Sequence, residues 1–241
     1  MIIAEYPDFL LIVVHIPKAA GSSLRLTLRQ YKKDAIRWEE YTNIVNQVDQ
    51  THTCLYYDYL QSKIIDSKLP LKIITSVRNP YDRIYSAFLF NRRTDHYRRN
   101  RLQGHPRIKW FQVDFLDFVK KELSSWVEDY RKSSKEGKSL ETVGVHFAPI
   151  SIFLTDQTGR MRGDYFVRQE TFSQDVDKVC QKLFGSLPRE RTFNCSNKST
   201  PPRTHGYLKY YDNQALAIIN KLYSDEFILF GYRKLQKVPD N

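Results

Sequence analysis

The chain has 241 residues, 41% of them hydrophobic and 14% aromatic, which is enough apolar material for a packed α/β core and excludes a disordered chain. Its 38 lysines and arginines against 27 acids leave a formal net charge of +11, so a polyanionic partner is expected: nucleic acid, an anionic membrane, a phosphorylated cofactor or an acidic glycan. Cys54, Cys180 and Cys195 are too scattered for a disulfide scaffold or a zinc cluster, and the apolar run Phe9 to Val14 is too short for a signal peptide or membrane span.

No Pro/Gly/Ser-rich linker interrupts the sequence, so residues 1–241 read as a single domain, expected to be soluble and cytoplasmic. Phe9 to His15 is apolar and β-branched and stops at Pro17 and Gly21, the pattern of a buried parallel strand running into a loop. Ser22 to Tyr31 follows with Leu24, Leu28 and Tyr31 at helical spacing. Cys54 to Ile65 reads as a helix entered from Thr51-His52-Thr53. Leu71 to Val77 is a second strand, stopped by Arg78-Asn79-Pro80, and Tyr81 to Asn91 is the helix behind it; Pro80 suits the first turn, where its missing N–H is harmless. Further helices are expected at Asp114 to Tyr130, Thr171 to Phe184 and Asn213 to Tyr223, the second opening with Thr171 and Gln174 in capping-box spacing. Strands are expected at Ile150 to Thr155 and Asp164 to Val167. The alternation predicts an α/β fold, a mainly parallel sheet with helices on both faces, whose ligands lie at the carboxyl ends of the strands.

Both strand-to-helix loops fall at such ends. His15-Ile16-Pro17-Lys18-Ala19-Ala20-Gly21-Ser22-Ser23-Leu24 sets a lysine, a glycine and two hydroxyls at a helix start, where exposed amides and the helix dipole favour an anion. It differs from the nucleotide-hydrolase loop Gly-x-x-x-x-Gly-Lys-Ser/Thr, because Lys18 precedes Gly21. The second segment, Ser76-Val77-Arg78-Asn79-Pro80-Tyr81-Asp82-Arg83-Ile84-Tyr85-Ser86, ends a strand on an arginine and carries a serine eight residues on. Arg83 reads as half of a structural ion pair with Asp82 or a distant carboxylate.

The first loop resembles the 5′-phosphosulfate-binding loop of sulfotransferases that use 3′-phosphoadenosine 5′-phosphosulfate (PAPS), in particular the carbohydrate branch related to heparan and chondroitin sulfate sulfotransferases. Ala19 stands where those enzymes usually carry Thr, and Ser22 keeps the hydroxyl. The second segment resembles their 3′-phosphate site. The resemblance implies a P-loop-like fold, PAPS bound by Lys18, Ala19, Ala20, Gly21, Ser22 and Ser23, and its 3′-phosphate held by Arg78 and Ser86. It implies a sulfuryl acceptor that is a carbohydrate-like hydroxyl, and His52 as general base with His146 as its rival near the acceptor. The late loop Asn194 to Ser199 resembles one that closes over the cofactor, with Lys198 and Ser199 as contacts. Arg168-Gln169-Glu170 resembles a family strand-to-helix junction, where Glu170 is expected as a first-turn carboxylate of the following helix.

Between Asn91 and Lys109, Arg92, Arg93, Arg98, Arg99, Arg101, Arg107 and Lys109 face one acid, Asp95, and Arg92 and Arg93 are candidate contacts for an acidic acceptor. Two readings compete with the sulfotransferase. A P-loop kinase of small metabolites would need Mg²⁺ and a lysine after the second glycine, and no carboxylate cluster in the sequence suggests a metal. A basic nucleic-acid-binding protein would track phosphates along Arg92 to Lys109.

Overall fold

Short apolar stretches set the strands, and the computed structural model of the chain joins five of them in one sheet. It describes residues 1–40, 68–93, 107–136, 145–155, 159–190 and 206–239. In chain order the elements are β1 (Ile2–Glu5), β2 (Leu10–Val14), α1 (Gly21–Leu28), β3 (Arg37–Glu40), β4 (Leu71–Val77), α2 (Pro80–Arg93), α3 (Phe115–Lys121), α4 (Leu123–Lys135), α5 (Ile150–Leu154), β5 (Tyr165–Arg168), α6 (Phe172–Phe184), α7 (Asn213–Leu222) and α8 (Ser224–Leu229), with short 3₁₀ turns between. Two compact units result: Met1–Arg78 with Phe153–Lys198, and Asn79–Ile152 with Ser199–Asn241. No described helix is long and apolar enough to cross a membrane.

The first unit holds the sheet, in the order β3-β1-β2-β4-β5. β2, β4 and β5 run parallel, while β1 is antiparallel to both β2 and β3. The expected parallel block is therefore present, with an antiparallel edge that the sequence reading missed. β1 and β3 have four residues each, too few to display a period, and the hairpin into β2 is closed by Tyr6 N–H donating to the Phe9 carbonyl at 2.9 Å.

Strand alternation sorts the core. Ile2, Ala4, Leu11, Val13, Ile74 and Val167 pack with Leu24 and Leu28 of α1 and with Phe172, Val176, Val179 and Cys180 of α6, all of them buried. Each such aliphatic side chain contributes about 1.5–3 kcal/mol when fully buried. Met1, Ile3, Leu10, Ile12 and Ile73 form the cluster of the opposite parity. Among the described residues of this unit, α1 and α6 share one face of the sheet; the helix expected at Cys54 to Ile65 lies outside the described residues.

Helix α6 starts one residue later than expected and stops where Gly185 enters the left-handed region at φ 66°. The expected capping box is replaced: the Thr171 hydroxyl donates to Asp175 Oδ2 at 2.8 Å, and the Arg168 N–H donates to the same oxygen at 3.0 Å. Asp175 is thus the carboxylate in the first turn of α6, while Glu170 precedes the helix and is exposed, which corrects the role expected for it.

Helix α7 spans Asn213–Leu222, close to the expected bounds, with Asp212 accepting from the Ala215 N–H at 2.8 Å as its cap. In the same unit, the second, Asp114 to Tyr130 is two helices, α3 and α4, because Glu122 leaves helical geometry at φ −129°. The expected strand Ile150 to Thr155 is instead the helix α5. A five-residue, mostly apolar run fits either period, and what decides is the end: the Ile152 N–H closes a turn on Pro149, and the Ile150 N–H is taken by Glu226 at 2.7 Å. The core of this unit is aromatic. Trp126 meets Phe118 and Phe147 edge-on at 5.3 and 5.5 Å, and Phe115 meets Tyr85, Phe88 and Tyr211 at 5.0 to 5.4 Å.

Candidate functional site

The loop between β2 and α1 carries the chain from a strand end to a helix start through an unusual backbone. Lys18 and Ala20 both adopt left-handed backbone, at φ 63° and 66°, a region that costs a residue with a Cβ about 1–3 kcal/mol. Left-handed residues on either side of Ala19 give the backbone alternation from which anion-binding concavities are made. The first intrahelical bond runs from the Leu24 N–H to the Ala20 carbonyl at 3.1 Å, so the N–H groups of Gly21, Ser22 and Ser23 belong to the first turn, which lacks i−4 carbonyls, and Ala20 at the N-cap supplies no side-chain cap. The positive end of the helix dipole falls on those amides.

Two neighbours hold the strained loop. The Ala19 N–H reaches back to the Ile16 carbonyl at 3.4 Å, and Arg78, just past the end of β4, donates from Nη1 to the Lys18 carbonyl at 3.1 Å. This contact arises because β2 and β4 are parallel neighbours in register, Val14 opposite Thr75, so their carboxyl ends emerge side by side. The Thr75 hydroxyl ties the two ends by donating to the Val14 carbonyl at 2.9 Å. The structure therefore brings Lys18, Ala19, Ala20, Gly21, Ser22, Ser23 and Arg78 together in the first unit.

It also assigns His15 to this loop, a residue for which the sequence reading found no role. Its imidazole keeps open surface, yet protein surrounds most of it, and that burial lowers its pKa from 6.5 to about 4. The positive charges of Arg25 and Lys18 push in the same direction, so the ring is neutral at neutral pH. The signal in the sequence was parity: His15 continues the side of β2 that carries Leu11 and Val13 towards α1.

The remaining candidates lie elsewhere. Ser86 is half-buried two turns into α2, in the second unit, and Arg92 near the end of that helix is exposed, with Arg93 its last residue. His146 sits in a 3₁₀ turn, half-buried, with its ring 4.8 Å from that of Phe90. Of the other basic-stretch residues, Arg107 pairs with Asp129 and lies 5.0 Å over the Trp126 ring, and Lys109 is exposed. His52, Lys198 and Ser199 lie outside the described residues.

Arg83 takes the structural part expected of it, with a carboxylate 143 residues away. At 0% and 1% exposure, Arg83 and Glu226 pair through Nη2 at 3.0 and 3.3 Å, while Arg83 Nη1 donates to the carbonyls of His146 and Ala148 at 3.2 and 3.1 Å. Burial raises the pKa of Glu226, and the Arg83 charge and the Ile150 N–H pull it back down.

A parallel-strand end carrying a left-handed loop, a helix N-terminus, a lysine and a braced arginine has the chemistry to receive an oxyanion such as a phosphate or sulfate ester. No curated protein and no solved structure matches the chain. The model of the sulfotransferase family matches residues 5–233, nearly its whole length. The chain belongs to the sulfotransferase family and is an enzyme that transfers sulfuryl groups.

Proposed function

We propose that the sulfuryl donor is PAPS and the acceptor a hydroxyl of a carbohydrate-like, acidic molecule. The observation that carries the donor is the loop: left-handed Lys18 and Ala20, the start of α1 at Gly21, and Arg78 bonded to the Lys18 carbonyl. Those groups fit a 5′-phosphosulfate, and Gly21 supplies the absence of a side chain at the first helical residue. Bound there, the donor supplies the sulfuryl group and a phosphate oxygen as leaving group.

The chain's residues do the rest by position and charge. Lys18 and the amides of Gly21, Ser22 and Ser23 hold the negative charge that grows on the leaving phosphate. Arg78 selects the 3′-phosphate through a charge-assisted contact, with Ser86 in the role its resemblance gives it. His52, neutral, removes the acceptor's proton, and His146 is the alternative base. Arg92 and Arg93 receive the acceptor's negative charge, and Lys198 and Ser199 contact the donor. We keep residues 1–241 as one sulfotransferase domain of P-loop-like type, supported by a family match that runs through both compact units.

Calorimetry tests the donor. Adenosine 3′,5′-bisphosphate should bind at least about tenfold more tightly than AMP or ATP, the worth of one charge-assisted bidentate contact. Equal affinity for AMP removes the 3′-phosphate site, and tighter Mg²⁺-dependent binding of ATP turns the reading into a kinase. Mass spectrometry of a glycan panel incubated with enzyme and PAPS identifies the acceptor, and no mass gain on any acidic glycan removes the carbohydrate reading.

A further inference from the structure

Gly21 is a glycine for want of space. A Cβ built on it would lie 2.6 Å from His15 Nδ1, closer than side-chain carbons come, and in tight contact with Cε1 at 3.0 Å and Cγ at 3.2 Å, so the ring would have to shift to admit it. Its backbone is ordinary helix, so conformation gives no reason for glycine, and on helix propensity alone alanine would be the better residue. The ring of His15 is therefore the object that excludes a side chain from the first residue of α1. It does so as a neutral planar body, because desolvation first, and then the charges of Arg25 of α1 and Lys18 of the loop, disfavour its protonated form.

We propose that His15 is a positioning residue of the anion loop: its ring is the stop against which Gly21 is seated, and it thereby fixes where the amides of Gly21, Ser22 and Ser23 are presented to a bound phosphate. This rests on the reading of the loop as the donor's phosphate site. The sulfuryl chemistry passes through the loop and not through the imidazole, so the ring's shape is what is required of it.

The test uses the full chain, with thermal melting and calorimetric titration of adenosine 3′,5′-bisphosphate for wild type, Gly21→Ala, His15→Ala, His15→Phe and the doubly substituted Gly21→Ala/His15→Ala. Gly21→Ala should weaken nucleotide binding about tenfold or more, as overpacking displaces the helix start. The double substitution should recover most of that loss. His15→Ala alone should weaken binding several-fold at an unchanged melting temperature, and His15→Phe, which keeps a flat ring, should retain most of the affinity that His15→Ala loses. If Gly21→Ala does not fold, recovery of folding by the added His15→Ala reports the same clash. Gly21→Ala binding like wild type, a double variant no better than Gly21→Ala, or His15→Phe as weak as His15→Ala would each overturn the proposal. A wild type that melts normally and binds no adenosine 3′,5′-bisphosphate sinks the donor reading instead, and His15 is then judged on whether His15→Ala restores the melting temperature that Gly21→Ala removes.

Discussion

Replacing Arg83 by methionine removes one partner of an ion pair from which water is excluded, while keeping most of its aliphatic volume. The carbonyls of His146 and Ala148 lose their donor, and the Glu226 carboxylate loses two contacts while keeping the Ile150 N–H. Breaking such a pair from one side costs about 3–5 kcal/mol, most of it the penalty of leaving the other charge buried. The hydrogen bonds to the two carbonyls fall within that figure, since groups in one network do not add. The loss should depend on pH. Glu226 has its folded-state pKa raised, so its contribution to stability is present below the unfolded carboxylate value and is lost as pH rises through the folded one. Without Arg83 the folded value moves higher still, and the gap between wild type and variant should widen from pH 5 to pH 8. Urea denaturation followed by the fluorescence of buried Trp126, in the same unit, reads it. A loss below about 1 kcal/mol at pH 8, the scale of an exposed pair, or one equal at both pH values, would refute the reasoning. Arg83→Met with Glu226→Leu should cost less than the two single changes summed, because neither charge is then left alone.

Arg78→Ala should erase the preference for adenosine 3′,5′-bisphosphate over AMP, about ten- to a hundredfold, by competition calorimetry; it should also weaken AMP itself, since the Lys18 carbonyl loses its brace. His52→Ala should lower kcat about 10²–10⁴-fold with nucleotide affinity nearly intact, whereas Lys18→Ala damages both; if His146→Ala is the variant that stops turnover, the base is His146. His15 has its folded pKa lowered from 6.5 to about 4, so it contributes stability that is present above pH 6.5 and is lost as pH falls towards 4. Thermal melts across that window should show a shallower acid decline in His15→Phe than in wild type, and parallel curves would discard the assignment.

Local pattern was enough for the parts of the chain whose structure depends on neighbours in sequence. Leu71–Val77 is a strand at the expected bounds, a run of apolar and β-branched residues stopped by Arg78-Asn79-Pro80, and the strand-loop-helix around Lys18 is legible because a short apolar run, a proline and a glycine meet a helical period there. The tertiary structure decided whatever depended on a distant partner. Ile150–Leu154 became a helix because Glu226 accepts the N–H at its start, and no pattern within five residues carries that fact. β1 and β3 are strands only because they find each other, and β1 also finds β2. Arg78 was expected as an anion ligand from its place at a strand end, but its bond to the Lys18 carbonyl follows from two parallel strands lying side by side, and the close approach of His15 to Gly21 is visible only in the folded chain. Side-chain chemistry and period are written residue by residue, whereas packing partners are chosen by the whole chain at once, and the anion loop needs both.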